Sequence, residues 1–274
     1  PPNAQQILRF AACAGQEFDL PLLATVLNLS PQDALAALAP SLHDELIQPV
    51  HAAASMTFRF VHDRVQQTAH ALPGHPPTAA IHLTFARILL VKASPDTVDE
   101  PIFIIADHLI HGCELVTDES DRWAYARLTF RAGLKAKAAL AYQAAVHYFD
   151  AGIAFLPQDV WAQDFRLAFD LHLQAAEVAD LTNAEHRVLS LCDELDTRAR
   201  TPMERLEVFF RRILFANHQG DLAAVMALGR EALACFGIPL PPLDDAPALL
   251  AQVGHSSASL KSRHRSQFPM CSIA

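Results

Sequence analysis

From residue 78 to 236 every strong segment of this chain repeats its apolar side chains with the 3.6-residue period of an α-helix, so that stretch must fold as packed helices. Helices are expected at about 78–93, 99–116, 119–139, 141–156, 159–181, 184–199, 203–219 and 221–236. The later ones fall into pairs. Their second members begin at Ala141, Ala184 and Asp221, a recurrence of 43 and then 37 residues, which predicts stacked helical hairpins.

The first pair resembles the tetratricopeptide pattern at its small-residue positions. Gly133 lies in its first helix, Ala145, Phe149 and Gly152 in its second, and Pro157 closes it. Small residues let two helices approach closely, and the aromatic is expected to fill the gap between neighbouring hairpins.

The chain before residue 78 reads differently. Ile7, Leu8, Ala11 and Ala12 keep helical spacing up to Gly15, Asp19 can cap a second helix, and Ser30-Pro31 opens a third. Two short extended segments follow, Leu46–Val50 and Met56–Val61, the second alternating apolar with polar residues as a half-buried strand does. A helix then starts at His62-Asp63, with Val65, Ala69 and Leu72 on one face. Three helices, a two-stranded wing and a closing helix make a winged-helix plan, ended by the stiff linker Pro73-Gly74-His75-Pro76-Pro77. The expected fold is therefore mainly α: a winged-helix module over 1–75, then a tetratricopeptide-like α-hairpin superhelix over 76–245. Residues 246–274 form an irregular tail, in which 254–274 hold six serines and three cations with no carboxylate. The tail is either a solvated segment or the product of an interrupted repeat sequence. The opening residue, Pro1, suggests a fragment of a longer chain.

Composition narrows the function. The longest apolar runs, such as Ile102–Ala106, are far short of the ~18–20 residues of a spanning helix, which predicts a soluble chain with no membrane segment. A net charge of −9 opposes nucleic-acid binding, and the third helix, 31–43, carries Asp33 and no Arg or Lys with which to read a groove. Five scattered cysteines without a CxxC fit a reducing, cytoplasmic setting. None of the four lysines follows a glycine, so there is no P-loop, and GxGxxG, GxSxG and HExxH are absent too. No catalytic residues are expected. Nor is a metal: His108 and His111 share a helical face while Cys113 points away from His108.

The most informative stretch is 58–69, Phe-Arg-Phe-Val-His-Asp-Arg-Val-Gln-Gln-Thr-Ala. An apolar strand delivers His62-Asp63 to a helix start, where free amides and the dipole favour negative charge. Asp63 can cap the helix while His62 reaches outward to an anion such as a phosphate. Alternatively His62 and Arg64 hydrogen-bond within the domain and Asp63 only caps.

Residues 8–20, 58–69, Ile81-His82-Leu83, His108-Leu109 with Gly112, and Ala132–Lys137 with Ala141-Tyr142 together resemble one arrangement. It is the region that follows the nucleotide-binding domain in large bacterial signalling proteins. These join a serine/threonine-kinase-like domain, a STAND-type AAA ATPase, helical repeats, a GAF domain and often a histidine kinase. The resemblance implies that His62 and Asp63 sense the phosphates of ADP held by an ATPase domain outside this chain. It implies ATP/ADP and Mg as cofactors of that parent and none here, and a protein partner or adjacent kinase and sensor domains reached through the repeats. His70 departs from the family, which usually has Tyr there. The alternatives are a stand-alone interaction scaffold and a fragment of a STAND-type transcription regulator.

Overall fold

The computed structural model describes residues 4–50, 56–93, 101–238 and 240. Among them the protein is mainly helical, with thirteen α-helices and three short strands. The chain forms two compact units that divide between Gln174 and Ala175. The expected junction at 75/76 falls inside the first unit, and the expected tail, 246–274, lies outside the described residues.

Local chemistry sets the first elements. Helix α1 (Ala4–Ala14) stops at Gly15, whose φ of +133° suits glycine alone. Helix α2 (Leu20–Leu27) is capped by Asp19, whose carboxylate accepts the Leu22 N–H at 2.8 Å. Helix α3 (Pro31–His43) starts with Ser30 accepting the Asp33 N–H at 3.1 Å. The expected wing gains a third strand: β1 (Glu17–Asp19), β2 (Ile47–Pro49) and β3 (Thr57–Phe60) pair antiparallel in the order β1-β3-β2. Phe18 of β1 lies opposite Phe58, their ring centroids 5.9 Å apart, so the extra strand is held by apolar burial as well as by its ladder. Helix α4 (Asp63–His70) follows β3 and packs on α1.

The remaining helices are α5 (Thr78–Lys92), α6 (Ile102–His111), α7 (Glu119–Ala138), α8 (Tyr142–Phe155), α9 (Val160–Gln163), α10 (Phe165–Leu181), α11 (Glu185–Arg198), α12 (Pro202–His218) and α13 (Leu222–Ala234). A 3-10 turn, Cys113–Leu115, follows α6. The continuous helix expected at 159–181 is broken, because Asp164 leaves helical geometry and accepts the Leu167 N–H at 3.1 Å to cap α10. In the first unit α5 packs on α6, α6 on α7 and α7 on α8; in the second, α11 packs on α12 and α12 on α13.

The recurrence at Ala141, Ala184 and Asp221 has a structural basis, since each is the N-cap of the second helix of a pair. Each is preceded by a left-handed residue: Leu140 (φ +60°), Asn183 (φ +58°) and Gly220 (φ +74°). The same two hydrogen bonds close all three turns. The cap N–H reaches back to Ala136, Ala179 or Ala216 at 2.8–2.9 Å, and the left-handed residue bonds Lys137, Asp180 or Asn217 at 3.0 Å. This is a Schellman motif used three times.

Phe149, expected between neighbouring hairpins, meets Gly133 of α7 with its ring. It packs within the α7–α8 hairpin, where a Cβ added at Gly133 would come within 2.5 Å of its ring. The approach beyond the hairpin is made at Gly152, where a Cβ would meet the Leu171 side chain at 2.8 Å.

Gly133→Val should therefore lower stability by about 1–3 kcal/mol, the usual cost of overpacking a filled core. Leu140→Gly should raise it by about 1 kcal/mol, because glycine escapes most of the left-handed penalty. Denaturant midpoints at constant m-value measure both; a stabilised Gly133→Val would contradict the packing, and a destabilised Leu140→Gly the turn.

Candidate functional site

Two places in the first unit gather polar chemistry. At the first, β3 buries Phe58 and Phe60 and hands the chain to α4. His62, not Asp63, is the N-cap; its backbone is extended and its side chain makes no capping bond. Asp63 is the first helical residue, where its charge suits the helix dipole. Both side chains are exposed, as is Arg64, and none of the three has a hydrogen-bond partner among the described residues. The alternative in which His62 and Arg64 bond within the domain is thus not realised there.

The second place was not legible from spacing. Cys13 on α1, His70 on α4 and His82 on α5 each bring one ligand atom to within 4.8 Å of the others. The Nδ1 atoms of His82 and His108 are 2.8 Å apart, so one ring must donate and the other accept. His82 Nε2 is buried with no partner. The His111 ring stands 4.7 Å from that of His82, and its Nδ1 lies 2.9 Å from the Asp107 carbonyl oxygen. These groups border a cavity of about 310 Å³ that Gln66 and Asp107 also line. Cys113, in contrast, is exposed on the 3-10 turn.

Burial sets the charge states. It pushes His82 down to about 3, helped by the His108, His111 and His70 imidazoles, and His108 down to about 4, helped by His111. His70 is lowered by burial, then by His111 and Arg9. Burial raises the Cys13 thiol to about 11 against the opposing pull of Arg9.

In the second unit α11, α12 and α13 border a cavity of about 710 Å³ with an apolar lining that includes Val188, Leu189, Phe215, Ala224, Ala227 and Leu228. No single described helix is long and apolar enough to cross a membrane.

No family model matches the chain, and no solved structure matches it significantly. It is similar to hybrid signal transduction histidine kinase G of Dictyostelium discoideum, 25% identical over 269 residues covering 77% of this chain. The chain spans 8% of that relative's length.

The buried histidines make stability depend on pH. His82 and His108 stay neutral in the folded chain until about 3 and 4, whereas in the unfolded chain they protonate near the ordinary value of 6.5. Between those limits the unfolded state binds more protons. Their contribution is thus fully present above about pH 6.5 and is lost as pH falls toward the folded values. In chelator-treated buffer, the denaturation midpoint should drop on going from about pH 7.5 to about pH 5. An unchanged midpoint would show that these rings are not buried neutral.

Proposed function

We propose that the chain is a regulatory and scaffolding segment of an ATPase-coupled signal-transduction kinase. On this reading α1–α4 and the three-stranded sheet are a winged-helix module, and it passes nucleotide state to a tetratricopeptide-like superhelix. The chain itself carries out no catalysis; ATP or ADP and Mg belong to an ATPase domain outside it, and the setting is cytoplasmic. The likeness to a signal transduction histidine kinase supports the signalling role.

One observation carries the mechanism: His62 stands exposed and without a described partner at the start of α4, where the first amides have no intrahelical acceptor. An imidazole N–H and helix-terminal amides together suit a phosphate oxygen. Asp63 stabilises that helix start while His62 makes the contact. Such a contact biases interdomain packing by its differential affinity for the two states, which need differ by only a few kcal/mol. The apolar cavity among α11–α13 supports a second reading, a stand-alone scaffold that binds a protein partner there.

In the intact parent, His62→Ala should weaken ADP retention about tenfold to a hundredfold, the worth of one hydrogen bond to a charged group. ADP dissociation and basal kinase output measure it. Unchanged ADP affinity together with unchanged output would remove the sensing role and leave the scaffold.

A further inference from the structure

We infer that Cys13, His70 and His82 form a binding site for a borderline-soft divalent transition-metal ion of the Zn²⁺ class, with water completing the coordination from the adjoining cavity. The donor set is one sulfur and two imidazole nitrogens, the chemistry that zinc takes and that oxygen-seeking Mg²⁺ and Ca²⁺ do not. Their ligand atoms already lie within 4.8 Å of one another. Tetrahedral zinc needs separations of about 3.3–3.6 Å, from Zn–S near 2.3 Å and Zn–N near 2.0 Å, so the three close by at most about 1.5 Å.

His82 supplies the strongest pointer. It is 6% exposed, its Nδ1 is engaged with His108, and its Nε2 has no partner. When His82 Nδ1–H donates to His108 Nδ1, Nε2 carries a bare lone pair. A metal-bound histidine typically has such a second hydrogen bond to orient it. A buried nitrogen without a partner costs free energy, and a metal ion removes that cost. Binding replaces the Cys13 S–H by a sulfur–metal bond and releases its proton to solvent. Arg9 faces the site from α1 and favours the resulting thiolate, while Asp107 and His111 face it from α6 across the cavity. The ion would join α1 and α4 to α5, and through His108 to α6, tying the expected winged-helix module to the first helical pair. The ion would bind whether or not His62 contacts a phosphate.

The test titrates the purified chain with Zn²⁺ and with Co²⁺. One equivalent should bind. Co²⁺ should give the visible bands of a tetrahedral site and a near-ultraviolet thiolate-to-metal charge-transfer band. Cys13→Ser should abolish that band. His108→Gln, which removes only the supporting ring, should weaken Zn²⁺ about 10–100-fold, and His70→Gln, at a half-buried position, should weaken it more. Cys113→Ser should alter nothing. Absence of stoichiometric binding would overturn the inference, as would a charge-transfer band that persists in Cys13→Ser or undiminished Zn²⁺ affinity in His70→Gln.

Discussion

Helix α1 is buried without interruption from Ile7 to Cys13, and the rest of the first unit is arranged around that fact. A helix apolar on one face can rest on a single neighbour; one buried on every side must be surrounded. Helices α2, α3, α4 and α5 and strand β1 all pack on it. Fully burying Ile7 or Phe10 is worth about 1.5–3 kcal/mol each, so the surrounding elements have a common reason to converge. The one charge in the buried run, Arg9, is 4% exposed, and its guanidinium donates to the Pro76 carbonyl at 2.6 Å. Gly74 lies against the same guanidinium. The proline-rich segment is thereby held to α1, and the two helices it joins, α4 and α5, both pack there.

That arrangement positions both chemical features. Packing of α4 on α1 leaves the opposite end of the helix, with His62 and Asp63, facing outward. The same packing brings His70, at the other end of α4, to Cys13 at the end of α1. Helix α5 then contributes His82, and α6 contributes His108 behind it. One short helix therefore carries an exposed polar pair at its start and a half-buried imidazole at its end. A change in the angle of α4 would be felt at both.

Much of this was legible in the sequence wherever a local chemical rule governs. Asp19 and Ser30 cap the helices expected of them, because a short oxygen-bearing side chain before an apolar run has few better partners than the free amides. Ala141, Ala184 and Asp221 are N-caps because each follows a residue that turns the chain left-handed. Strand β1 is not legible, because three residues are too few to show alternation, and Phe58 across the ladder is what explains Phe18. The break at Asp164 is not legible in the sequence, because the helical period runs through it. The cluster of Cys13, His70 and His82 left no trace in spacing at all. Its members sit on three helices, and convergence is a property of packing. The histidines and cysteine that are near in sequence, His108, His111 and Cys113, are set aside by helix geometry, and Cys113 is exposed on a turn.

We propose that the start of α4 senses phosphate. Hydrogen exchange at the amides of Asp63 and Arg64, measured in the intact parent with ADP bound and with nucleotide removed, decides it. A phosphate held there would accept from these first-turn amides, which have no intrahelical partner, and would slow their exchange in the ADP state alone. Equal exchange in the two states would mean that no phosphate is held at the start of α4.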